Sequence, residues 1–176
     1  LIADCDWIIE AVAEDLDIKR ALLAKVQHLR AGTILTTNTS GLPIATIAAS
    51  LSAELKPHFF GTHFFNPPRY MRLLEIIPTV ETDLDDVAII AHFCDQRLGK
   101  TIVHSHDTPN FIANRVGTFS MTNAMWLMQA QGLTIEEIDT LTGTAIGWPK
   151  TGTFRLGDMV GIDVLGHVAK NFQTQA

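Results

Sequence analysis

Two residues open a chemical reading of this sequence: His63, in Thr62-His63-Phe64-Phe65-Asn66-Pro67, and Glu75, in Leu73-Leu74-Glu75-Ile76-Ile77. A lone histidine in an aromatic run is ordinarily a structural residue with its hydrogen bonds satisfied. The glutamate changes that weighing, because an unpaired carboxylate in the middle of an apolar run is costly and needs a partner. The neighbouring run offers His63. A carboxylate beside an imidazole fixes its tautomer and raises its basicity, which is what a general base requires. On residue types alone, the pair fits a structural ion pair as well as a catalytic dyad.

Other candidates are weaker. Ser40 lies in the polar turn Asn38-Thr39-Ser40-Gly41, directly after the β-branched run 33–37. Side chains in such a turn emerge at the carboxyl end of an α/β sheet, where ligands bind, although a plain turn explains a serine equally well. His104 and His106 have the i, i+2 spacing of a chelating pair, but no further ligand cluster stands near them, so they read as surface residues and no metal site is expected. Cys5 and Cys94 are too few for a disulfide framework and read as buried thiols of a reducing compartment. The stripe Phe119, Met121, Met125, Trp126, Met128 reads as packing.

These residues need elements to position them. Apolar or β-branched runs at 6–12, 33–37, 59–65, 73–77 and 100–104 read as strands, the first of them buried on both faces. Between them lie helical patterns. Residues 15–30 carry Ile18, Leu22, Val26 and Leu29 at helical spacing, with Asp15 as cap and Gly32 as stop. A short helix follows at 43–49, and 83–98 forms an amphipathic helix closed by Gly99. The alternation predicts an α/β layer with a mainly parallel sheet. At Asp107-Thr108-Pro109 the rhythm changes. Thr108 can cap a helix and Pro109 suits its first position, so a long helix is expected over 110–129. Thr134 and Glu137 then form a capping box. The boundary falls near His106, giving an α/β part at 1–106 and an all-α part at 107–176.

Composition sets outer limits. A chain of 176 residues with 47% hydrophobic and 18% charged residues has a real core. Its net charge of −6 comes without a basic block, which argues against nucleic acid as a partner. No apolar run approaches the roughly 20 residues that cross a bilayer. The sequence opens on Leu1 and runs straight into a strand, so the expectation is a chain cut from something longer.

Five phrases occur in one order: Ile9-Glu10-Ala11-Val12, Thr37-Asn38-Thr39-Ser40, His63-Phe64-Phe65-Asn66-Pro67, Leu74-Glu75-Ile76-Ile77, and Asp107-Thr108-Pro109-Asn110-Phe111-Ile112-Ala113-Asn114-Arg115. This series resembles the L-3-hydroxyacyl-CoA dehydrogenase family, including the dehydrogenase part of multifunctional fatty-acid oxidation proteins. The resemblance implies the second part of a Rossmann-type dinucleotide-binding domain followed by a helical C-terminal domain. It implies reversible NAD-dependent oxidation of L-3-hydroxyacyl-CoA in β-oxidation, with His63 as base and Glu75 orienting it. By the same resemblance Ser40 and Asn114 contact the substrate, and Ile8, Ile9, Glu10, Asp15, Ser40 and Asn66 contact NAD, although Asp15 stands where the family often has Asn. A homodimer or a multifunctional complex follows as the expected assembly. The expected location is the cytoplasm for a bacterial protein, and mitochondria or peroxisomes for a eukaryotic one. The rival readings are a short-chain 3-hydroxybutyryl-CoA dehydrogenase and a non-catalytic relative of the λ-crystallin type. One departure is large: the chain has no G-x-G-x-x-G and no ribose-reading acid after it, so weak NAD binding is expected of this chain by itself.

Overall fold

The strand-forming runs assemble into one five-stranded sheet in the order β1-β2-β3-β4-β5, in a computed structural model that describes residues 2, 4–26, 28–162 and 166. The strands are β1 Trp7–Glu10, β2 Ile34–Thr37, β3 Phe59–Phe64, β4 Leu73–Ile77 and β5 Thr101–His104. All pairings are parallel except β3 with β4, which is antiparallel. β1 lies at the edge, and Ile9 is exposed there. The expectation that this run is buried on both faces therefore fails for the described residues.

Side chains alternate between the two faces of a sheet, and each face meets its own helices. Helices α1 (Leu16–Leu23) and α2 (Ile44–Ala48) cover the face that carries Leu35, Phe59 and Ile77. Helix α3 (Leu84–Leu98) covers the other, packing Val87, Ile90 and Cys94 on Ile34, Phe60 and Ile76. Gly61 permits the close approach of α2, since a Cβ there would lie 2.8 Å from Ile44 Cδ1 and 3.1 Å from Ile77. The α3 boundaries follow the sequence signals: Asp83 accepts from Asp85 N–H, and Gly99 closes the helix at φ 64°.

Helix α1 departs from its expected length. Asp15 caps it as predicted, but it ends at Leu23 instead of Arg30. Lys25 N–H donates to Leu22 O and Val26 N–H to Leu23 O, tight bonds that close the last turn and admit Val26 to the core. Its buried positions are Lys19 and Leu23, while Ile18 is exposed.

The chain divides into two compact units, Leu1–Ile112 and Ala113–Ala176. The division falls beyond His106 because residues 107–112 are bonded to the first unit. The Asp107 carboxylate accepts from Ile44 N–H and Ala45 N–H, each at 2.8 Å, and Ile112 N–H donates to Glu75 at 2.9 Å. Thr108 and Pro109 accordingly do not start the long helix. Asn110 and Phe111 adopt left-handed conformations (φ 59° and 49°), and Phe111 joins the first unit's core.

The second unit holds α4 (Ala113–Gln131), α5 (Ile135–Leu141) and α6 (Phe154–Val160). Both bonds of the Thr134/Glu137 capping box are present. Asp139 of α5 accepts from Phe154 N–H and Arg155 N–H, which anchors the start of α6. The aromatic and Met stripe of α4 is not packing of the kind expected. Phe119, Met125 and Trp126 are exposed, and Ala124 is the buried residue of that helix.

Candidate active site

One face of the sheet changes character along its length. Ile8, Leu35, Phe59 and Ile77 are apolar and pack under α1 and α2. Two residues further along β1 and β2, four along β3 and two back along the antiparallel β4, the same face carries Glu10, Thr37, His63 and Glu75. The register brings these together: Glu10 pairs with Thr37, Thr37 with Gly61, and His63 with Glu75. The polar end is also where β1, β2 and β3 leave the sheet at their carboxyl ends.

His63 and Glu75 meet as the sequence suggests. His63 Nδ1 lies 2.8 Å from Glu75 Oε2, and the residues are 4% and 0% exposed. A carboxylate accepts only, so Nδ1 carries the proton and donates. Nε2 is then the nitrogen with an acceptor lone pair. The other carboxylate oxygen, Oε1, accepts from Ile112 N–H at 2.9 Å, a second bond that restrains the Glu75 side chain. Phe65 and Phe111 flank the imidazole at ring separations of 4.3 and 5.7 Å. A dry, oriented, hydrogen-bonded imidazole is suited to take a proton from a substrate hydroxyl.

The Ser40 turn is tied to the same region. Asn38 Oδ1 accepts from Phe64 N–H at 2.9 Å, which joins the end of β2 to the strand of His63. Asn66, just past β3, is exposed. Its loop is anchored by buried Lys100, whose ammonium donates to Met71 O at 2.7 Å and to Pro68 O. Asn114 lies in the first turn of α4, in the second unit.

Glu10 has a different situation from the one a ligand contact needs. Its carboxylate accepts from Val12 N–H (2.7 Å), from Lys19 Nζ (2.9 and 3.1 Å) and from Thr37 Oγ1 (2.6 Å). Lys19 is 1% exposed. The expected cofactor contact is thus engaged within the chain, and Asp15 is engaged as the α1 cap. Sequence reasoning missed Lys19, Glu14, Lys100 and the capping role of Asp107. The sequence carried no local signal for Lys19, because the helical spacing of Ile18, Leu22, Val26 and Leu29 puts the buried face on those residues. His104 and His106 are exposed, and among the described residues no three metal-ligating side chains converge. No helix among them is long and apolar enough to cross a membrane.

Comparison with known proteins adds to this geometry. Residues 1–108 match the family described as "3-hydroxyacyl-CoA dehydrogenase, NAD binding domain", and residues 111–176 match "3-hydroxyacyl-CoA dehydrogenase, C-terminal domain". A "Probable 3-hydroxyacyl-CoA dehydrogenase" of Bacillus subtilis is 46% identical over 176 residues, covering 99% of this chain and 22% of the relative. Among solved structures, FadB2 of M. tuberculosis superposes with a TM-score of 0.89 at 30% identity, covering 97% of this chain and 59% of that one. The (S)-3-hydroxybutyryl-CoA dehydrogenase PaaH1 of Ralstonia eutropha superposes with a TM-score of 0.89 at 29% identity, covering 99% and 60%. The chain therefore spans less than two thirds of the length of each of these proteins.

Proposed function

The chain belongs to the 3-hydroxyacyl-CoA dehydrogenase family, and from that premise we propose that the protein interconverts L-3-hydroxyacyl-CoA and 3-ketoacyl-CoA with NAD. The observation that carries the reading is the buried His63–Glu75 pair, with Nδ1 bound to the carboxylate and Nε2 left to face the substrate. The sheet edge fits the nicotinamide end of a dinucleotide: three parallel strands open there, and the Ser40 turn and Asn66 provide polar groups beside it. Ile8, Ile9, Ser40 and Asn66 are the proposed cofactor contacts. Glu10 acts from beneath them, through its bonds to Val12 and Thr37. When bound there, NAD would supply the hydride acceptor for C3.

Every other part of the chemistry falls to residues of this chain. His63 Nε2 takes the proton of the 3-hydroxyl as the carbonyl forms, and returns it in the reverse direction. The imidazolium so created is stabilised by Glu75 through a charge-assisted hydrogen bond. Ser40 and Asn114 are assigned to the substrate's oxygen atoms, where they supply orientation. Phe65 and Phe111 keep water from the imidazole.

The test is a steady-state assay of the full-length protein with acetoacetyl-CoA and NADH. We expect NADH consumption that depends on acetoacetyl-CoA. Its absence would support a non-catalytic relative instead. A narrower reading, a short-chain 3-hydroxybutyryl-CoA dehydrogenase, is favoured by the superposition on the R. eutropha enzyme. Turnover measured from C4 to C16 substrates separates it from a β-oxidation enzyme: a steep fall beyond C4 supports the short-chain role, and a flat profile supports β-oxidation. A homodimer is proposed for the assembly, with light scattering of the full-length protein as its check.

A further inference from the structure

We propose that Lys100 is a positioning residue for the reaction, pinning the loop that joins the strand of His63 to the strand of Glu75; the proposal rests on the dehydrogenase reading above. His63 and Glu75 are a cross-strand pair of the antiparallel β3–β4 hairpin, next to its last pair, Phe64 with Leu74. Residues 65–72 close that hairpin, so whatever fixes this loop fixes the end of the sheet that holds the dyad. The loop contains a turn in which Tyr70 N–H and Met71 N–H both donate to Pro67 O at 3.0 Å. Its last residue is tied to the start of β5, where Thr101 N–H donates to Arg72 O at 2.7 Å. Two further carbonyls of the turn, Pro68 O and Met71 O, accept from the Lys100 ammonium, the latter at 2.7 Å.

The partners of this ammonium are unusual. Lys100 is 6% exposed, yet among the described residues no carboxylate is paired with it. Its charge is met by the two carbonyls and by the face of Phe64, whose ring centre lies 5.6 Å away. Taking a cation out of water for neutral partners is costly, and an apolar residue would fill the same place without that cost. What the lysine adds is direction, since donors on one atom draw two carbonyls of the turn together. The start of the loop reaches the site: Phe65 lies against the His63 ring with 4.3 Å between centres, and Asn66 is a proposed cofactor contact. Phe64 N–H, just before it, is held by Asn38 Oδ1 at 2.9 Å. Asn38 therefore fixes the entry to the loop and Lys100 its middle, and the Phe65–Asn66 step is set between them.

The experiment uses the full-length protein with Lys100→Met and Lys100→Arg, each assayed well below its melting temperature so that a smaller folded fraction does not pass for a kinetic effect. Lys100→Met should raise the KM for NADH and lower kcat/KM roughly 10- to 100-fold, the cost of a misplaced contact. Its unpinned loop should also open to trypsin at Arg69 and Arg72, which are exposed, with cleavage about tenfold faster than in the unmutated protein. Lys100→Arg keeps the charge and a donor, but its planar head group does not copy the ammonium, so both readouts should fall between the two. Unaltered KM and unaltered trypsin resistance in folded Lys100→Met would overturn the proposal alone. So would a loss confined to kcat, with KM and cleavage unchanged, because a lower active fraction accounts for it. If Lys100→Met does not fold, Lys100→Arg decides: a raised KM with faster cleavage supports the role, and neither change overturns it. No turnover by the unmutated protein would overturn the dehydrogenase reading and this role with it.

Discussion

Two buried glutamates stand on the same sheet face, and their surroundings differ in one decisive respect. Glu75 is paired with His63, whose second ring nitrogen remains available for a substrate. Glu10 is paired with Lys19, and that pair is closed: the carboxylate takes four hydrogen bonds, and the ammonium also reaches Val12 O at 3.3 Å and Glu14. Both carboxylates are kept in the interior by bonded donors: the Lys19 ammonium, Val12 N–H and the Thr37 hydroxyl for Glu10, and the imidazole Nδ1–H and Ile112 N–H for Glu75. Burial of a charge therefore flags both alike. On the proposed reading, what separates chemistry from architecture is the unused valence, present on the imidazole and lacking on the saturated ammonium.

The comparison breaks first at His63. His63→Gln in the full-length protein should lower kcat by two to four orders of magnitude, the usual contribution of a general base, while NADH binding stays nearly intact. A modest loss, or a parallel collapse of NADH affinity, would place His63 with the structural pairs. The next effect belongs to Lys19. Lys19→Met leaves the Glu10 carboxylate buried without its cation, which should cost about 3–5 kcal/mol of stability, read from the urea midpoint. Lys19→Met combined with Glu10→Gln should recover much of it, because no uncompensated charge remains. Were Lys19→Met to abolish turnover at unchanged stability, the closed pair would be the catalytic one and the contrast would invert.

The same contrast explains what could be read from sequence. Strand identities, the α3 helix with its Asp83 and Gly99 ends, and the Thr134/Glu137 box are local, and each follows from residue type and period. The His63–Glu75 pair was legible because a carboxylate inside Leu-Leu-Glu-Ile-Ile demands a partner, and the antiparallel register supplies one. Lys19, Glu14 and Asp107 were not legible in this way. Each sits in ordinary polar sequence, and its partner lies on another segment: Glu10 for Lys19, the Ser40 turn for Glu14, the start of α2 for Asp107. Only packing reveals that their polar atoms converge. The start of α4 misled for a related reason. Thr108-Pro109 has the local form of a helix start, but Asp107 and Ile112 are held by α2 and Glu75, and these tertiary bonds delay the helix to Ala113.

Cys94 extends the comparison to a buried titratable group with no counter-charge bonded to it, and here the expected effect is smallest. It lies in the core between α3 and the sheet. Burial pushes its thiol from 9.0 up to about 11, against the opposing pull of the Lys100 charge. The sign of the consequence follows from linkage. Below pH 9 the thiol is neutral in both folded and unfolded chains, and its burial contributes in full. From pH 9 to about 11 the unfolded chain gives up this proton first, so stability relative to Cys94→Ala should fall across that window. At pH 8 a thiol reagent should modify half-buried Cys5 well before Cys94, because the thiolate is the reactive form and Cys94 holds its proton. Raising the pH toward 11, or adding urea, should expose the second thiol. Equal labelling of both at pH 8 in the folded protein would mean that the α3 face opens readily, and the core that seats the His63–Glu75 strands would then be looser than its packing implies.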